Sequence, residues 1–156
     1  RRMSEEFPLE SMALTHILVV SDLDRARNFY RDVLGATIYG EYGGTSIVFD
    51  FVGAWLLVVT GGEPTKDKPE VTFAPPSDLN RVNHAMTIRV PDCQAAYETL
   101  KARGAQFITP PVDWGYEIRC FFRDPDGHLF EISQVPRSAR LGPVELSAAL
   151  GKAGDR

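Results

Sequence analysis

Over residues 14–36 the hydrophobic period of the chain changes once. Residues 17–20 form a continuous apolar run, which gives way to apolar residues at helical spacing: Ala26, Phe29, Tyr30, Val33 and Leu34. A short β-rich run followed by a 3.6-residue period predicts a strand leading into an amphipathic helix of about three turns. An aspartate between them suits the helix start, where a carboxylate accepts from an unpaired backbone N–H. Gly35 suits the helix end, where a left-handed residue closes the last turn. Three more strand-like runs follow, 36–42, 45–51 and 54–60, with Gly43-Gly44 and Val52-Gly53 at the turns between them.

The same order returns from Val82 to Phe107. His16 answers to His84, Asp24 to Asp92 and Phe29 to Tyr97, each pair 68 residues apart. Gly35-Ala36 answers to Gly104-Ala105 one residue later. Ala96, Tyr97 and Leu100 mark the second helix, and runs 105–112, 117–123 and 128–134 read as its strands, with Asp-Pro-Asp-Gly at 124–127 as a tight hairpin turn. The repeat predicts an α+β fold of two tandem βαβββ modules, 14–62 and 82–135, in one structural domain. Residues 63–81, rich in Pro, Gly and charge, form a linker loop. Residues 1–13 are an N-terminal extension, and 136–156 are a tail with one short helix.

Composition narrows the function classes. An apolar fraction of 44% and a charged fraction of 24% fit a folded globular chain rather than a disordered one. The net charge of −4, with both signs interspersed, leaves no basic stripe to track a phosphate backbone. No apolar run is long enough to span a bilayer, and the first residues lack the apolar core of a secretory signal. Cys93 and Cys120 stand outside any Cys-x-x-Cys spacing and read as free thiols. The expectation is a soluble, cytoplasmic protein acting on a small molecule, with no nucleic-acid or membrane partner.

The repeat also brings polar residues into correspondence. Laying the last strands over one another through Gly53 and Gly127 sets Glu131 opposite Leu57, so four equivalent positions hold His16, Leu57, His84 and Glu131. Two imidazoles and a carboxylate suit Fe(II), Mn(II), Co(II), Ni(II) or Zn(II). Three protein ligands leave coordination positions open, as a catalytic metal requires, and Leu57 cannot ligate. Each residue taken alone has a plainer reading: a histidine beginning a strand is commonly structural, and Glu131 can simply face solvent.

The segments THILVVSDLDRARNFYRDVLG, NHAMTIRVPD and FFRDPDGHLFEI resemble the vicinal-oxygen-chelate superfamily over residues 14–134. That superfamily includes glyoxalase I, extradiol dioxygenases, methylmalonyl-CoA epimerase, fosfomycin-resistance transferases and bleomycin-resistance proteins. The resemblance implies two βαβββ modules whose sheets form a cup around one divalent metal, with ligands His16, His84 and Glu131. It also implies a homodimer in which the cup can be shared, His16 then coming from one subunit and His84 and Glu131 from the other. Leu57 departs from the four-ligand glyoxalase and epimerase pattern. The extra histidine of the dioxygenases has no counterpart, since His128 lies in the hairpin turn, where a solvated role is expected. Trp55 and Arg140 resemble the fosfomycin enzymes, but Pro111 and Gly115 stand where those enzymes carry lysine and serine.

Strand alternation extends the site. Leu18 and Val20 share the face of His16, and Met86 and Ile88 that of His84. If the hairpin sets Phe121 beside Glu131, then Arg119, Phe121 and Ser133 join the cup, with Arg119 able to hold an anionic group; a surface arginine is its plainer reading. Trp55 shares the parity of Leu57. Trp114 and Tyr116, in the loop before a strand, could act as a lid, and Tyr116 is the one acid or base outside the ligands. The resulting expectation is a metal-dependent enzyme on vicinal oxygens, a ring-cleaving dioxygenase or an enolate-type isomerase or lyase. The alternative is a non-catalytic small-molecule binder of the bleomycin-resistance kind.

Overall fold

The computed structural model describes residues 6–136. The first module runs β1 (Thr15–Val20), α1 (Leu23–Asn28), β2 (Thr37–Tyr42), β3 (Ser46–Phe51) and β4 (Ala54–Thr60). The helix of this module continues past α1 as a π-helical turn over Phe29–Val33. The second runs β5 (Ala85–Arg89), α2 (Cys93–Ala102), β6 (Gln106–Phe107), β7 (Val112–Asp113), β8 (Ile118–Arg123) and β9 (Leu129–Gln134). The sheets have matching orders, β1-β4-β3-β2 and β5-β9-β8-β6, with β7 also on β8. In each, the first strand pairs parallel with the last and the other pairs are antiparallel. The two tandem βαβββ modules of an α+β fold are thus present.

Two expectations are corrected locally. Residues 105–112 do not form one strand: Pro110 and Pro111, which have no N–H for the ladder, separate β6 from β7. The helix caps are Asp22 and Asp92, whose carboxylates accept from Arg25 and Ala95 N–H. Asp22, not Asp24, is therefore the counterpart of Asp92. Aligning the caps sets His16 opposite Met86 and His84 opposite Leu14, so the two histidines are not equivalent. The tail helix and Arg140 lie outside the described residues.

One core serves both modules. Leu18, Val20, Phe49 and Val58 of the first sheet join Phe122, Phe130 and Ile132 of the second, with Tyr30 and Tyr97 from the helical segments. The Tyr30 ring packs on Phe49 at 5.5 Å and on Phe130 at 6.1 Å, touching both sheets. Each sheet turns its helix-bearing face into this core; the opposite face is partly open in the first sheet, where Ile17 is exposed, and enclosed in the second, where Glu131 and Ser133 are buried.

The junction is pinned by the 124–127 turn. Asp124 accepts backbone N–H bonds from Asp126 and His128 and, through Oδ2, the Tyr30 hydroxyl at 2.7 Å. Asp126 accepts from Ser21 and pairs with Arg25. His128 Nε2 lies 2.7 Å from the Val19 carbonyl. The expected solvated role of His128 is corrected: its ring ties the turn to β1. Gly127 has φ 98°, and a Cβ there would run into Leu79 of the linker, which fixes glycine at this position.

Candidate site on the helix-free face of the second sheet

Strand parity decides which side chains can meet. In β1 the buried residues are Leu18 and Val20, on the helix side; Thr15, Ile17 and Val19 face the other way. His16 shares the parity of Leu18, and its partner across β4 is Leu56, a core residue. Leu57 pairs instead with Ile17. The second sheet repeats this: Glu131 pairs with Thr87, while Met86 and Ile88 lean on the core and His84 shares their parity just before β5 begins. The expectation that Leu18, Val20, Met86 and Ile88 look into the cup is therefore corrected, and so is the placing of both histidines with Glu131. They stand one residue out of phase with it and belong to opposite faces.

The histidines meet each other instead, with ring centroids 5.1 Å apart. Partial desolvation first, then the charges of His16 and His128, hold the His84 pKa below the ordinary histidine value. His84 borders a cleft of about 1050 Å³ lined by Pro76 and Asn80 of the linker, by Asn83 and by His128.

The helix-free face of the second sheet carries a different constellation. Arg89, Ser133 and Arg119 form one row across β5, β9 and β8, and Thr87, Glu131 and Phe121 form the next. Phe121 thus stands beside Glu131, as the hairpin predicts. Arg119 is no surface residue: it is 7% exposed, with Glu117, Glu131 and Ser133 equally enclosed. Glu117 receives Arg119 Nη1 at 2.7 Å, Arg89 Nη1 at 3.1 Å and the Ser133 hydroxyl. Arg89 Nη1 also donates to Ser133 Oγ at 2.6 Å. Glu131 accepts the Thr87 hydroxyl at 2.9 Å and lies 3.8 Å from Arg119 Nε. Trp114 covers the Arg119 guanidinium at 5.0 Å. Two cations and two carboxylates interlock here, as buried charges require.

The other expected residues lie apart. Trp55 is on the helix-free face of the first sheet, edge-on to Tyr39 at 5.0 Å. The Tyr116 hydroxyl is buried without a hydrogen-bond partner among the described residues, and Tyr116 borders a cavity of about 270 Å³ with Asp113, Glu117 and Gln134. Arg89, Glu117 and Thr87 were not foreseen. The alternation of polar residues along 87–89 and 117–119 was the signal for them, hidden by reading the histidine parity as the inward one.

These residues do not fit a divalent metal. Among the described residues no three His, Cys, Asp or Glu side chains are grouped to hold one. The carboxylate expected to ligate is enclosed by a hydroxyl and a guanidinium, and a second cation beside Arg119 would be repelled.

The chain is 25% identical over 130 residues to a glutathione transferase, FosA, of Serratia marcescens, covering 83% of this chain and 85% of that protein. It is 29% identical over 134 residues to a metallothiol transferase, FosB, of Shouchella clausii, covering 83% and 84%. The crystal structure of a glyoxalase/bleomycin resistance protein/dioxygenase from Nocardioides matches with a TM-score of 0.66 at 23% identity, covering 89% of this chain and 93% of that one. The family model of the Glyoxalase/Bleomycin resistance protein/Dioxygenase superfamily matches residues 13–132, and the chain belongs to that superfamily.

Proposed function

We propose that this protein binds a small organic molecule on the helix-free strand faces, without a resident divalent metal. The observation that carries this reading is the enclosure of Glu131 by Thr87 and Arg119, on the face opposite both histidines. The apolar share of the site would come from Ile17, Trp55 and Leu57 of the first sheet, and the polar share from the Arg89–Glu117–Arg119 network of the second. In a homodimer, the first sheet of one copy would face the second sheet of the other. The 49% exposure of Ile17 within a single chain supports that pairing.

The second reading is a divalent-metal enzyme acting on vicinal oxygens through His16, His84 and Glu131. It is favoured by the similarity to a protein named a metallothiol transferase. It requires β1 and β5 to slip by one residue, which would turn Leu18 and Val20 out of the core. Protein-observed NMR with a set of small aromatic fragments, run with and without EDTA, separates the two. The expected result is shifts at Trp55, Phe121 and Trp114 that EDTA leaves unchanged. Shifts that disappear with EDTA would overturn the metal-free reading.

A further inference from the structure

The hydrogen bonds of the second sheet give the site a preferred ligand charge. Both oxygens of Glu117 are engaged, Oε1 by Arg119 and Oε2 by Arg89 and Ser133. Glu131 holds the Thr87 hydroxyl and faces Arg119. The acceptors of the network are thus taken up from within the chain. The donors are not: Arg89 uses only Nη1, toward Glu117 and Ser133, leaving Nε and Nη2 without a hydrogen bond among the described residues. Its side chain is 29% exposed, whereas that of Arg119 is 8% exposed and lies beneath Trp114. A guanidinium carries five N–H donors in a planar fork, and an unused edge of that fork matches two oxygens of one anion.

We infer that Arg89 is the anion receptor of this face and that the ligand is a small organic acid presenting a carboxylate to its free Nε–Nη2 edge. The inference rests on the metal-free reading of the same site. Glu117 and Ser133 act as positioning residues, since their bonds to Nη1 hold the guanidinium and leave the opposite edge unbonded. Phe121 and Trp114 flank the polar row and suit a planar apolar body attached to the acid. The equivalent face of the first sheet carries Ile17, Val19, Leu57 and Val59, and the charge it offers is the carboxylate of Asp50 beside Trp55, which repels an anion, so anion recognition belongs to the second module.

Three probes of one shape and different charge test this: benzoate, benzamide and benzylamine. Each is titrated into the full chain at neutral pH while the Arg89 Nε–H and Trp114 indole N–H resonances are followed, with and without EDTA. Benzoate is expected to shift both resonances saturably and to bind roughly ten-fold more tightly than benzamide, as charge-assisted hydrogen bonds imply. Benzylamine is expected to shift neither. Arg89→Gln should reduce benzoate to the level of benzamide, read at Trp114. Arg89→Lys, which keeps a cation beside Glu117 and so guards against simple misfolding, should fall between the two. Equal affinity for benzoate and benzamide, unchanged by Arg89→Gln and by EDTA, would overturn the receptor while leaving metal-free binding standing. Benzoate shifts abolished by EDTA would sink the metal-free reading itself. Silence of both resonances toward every probe would overturn the receptor.

Discussion

Arg119 Nε stands 3.8 Å from Glu131 Oε2, and both side chains are enclosed. This pair occupies the ground on which the repeat pattern sets a metal ligand. Its removal from one side should be costly. Arg119→Leu would leave Glu131 and Glu117 facing fewer donors in a low-dielectric setting, at about 3–5 kcal/mol. Urea unfolding followed by circular dichroism measures this. A loss well under 1 kcal/mol would mean that the network is solvated.

The Tyr30–Asp124 bond is the hinge of the module junction. Burial raises the Asp124 pKa above the ordinary aspartate value of 3.8, while His128 and the Tyr30 hydroxyl pull it down. A raised folded pKa means that the folded state holds the proton more tightly than the unfolded chain. The contribution of Asp124 to stability is therefore complete below pH 3.8 and declines as pH rises through its folded pKa. Tyr30→Phe removes a donor to the charged form, so it should raise that pKa further and cost about 1–3 kcal/mol. Carboxyl-detected NMR titration of Asp124 in both proteins tests the direction; a lower pKa in the variant would contradict it.

Val52 adopts φ 44° in the turn between β3 and β4, followed by Gly53 at φ 80°. A β-branched residue is strained there, and its side chain is 75% exposed. Val52→Asn suits the turn and should stabilise the fold by about 1 kcal/mol. A rise in the thermal midpoint is the expected readout, and an unchanged or lower midpoint would contradict it.

The parts of the fold that were legible in the chain are those set by short-range chemistry. Alternation, helical spacing, the glycines at 35, 104 and 127 and the Asp-Pro-Asp-Gly turn locate both modules. The site was less legible because it depends on phase. Sequence spacing pairs His16 with His84, but the caps that define equivalence are Asp22 and Asp92, and this two-residue difference means that the histidines, though their rings meet, do not hold equivalent strand positions. Parity then sets Leu18 against the core and Ile17 outward, a choice that an apolar run such as 17–20 does not encode. Pro110 and Pro111, which lack the N–H groups a ladder needs, are the signal for the break between β6 and β7, in a segment whose apolar pattern runs on without one. Arg119 was legible as an anion partner, but its burial under Trp114 depends on a contact across the loop.

The central claim, that Glu131 is closed by Thr87 and Arg119 rather than by a metal, is tested most directly by metal content. The full chain is purified without chelator or affinity metal, and Fe, Mn, Co, Ni and Zn are quantified beside Glu131→Gln and His84→Ala variants. The account predicts far less than one equivalent of any of these metals in all three proteins. One equivalent in the parent protein, lost in both variants, would contradict it.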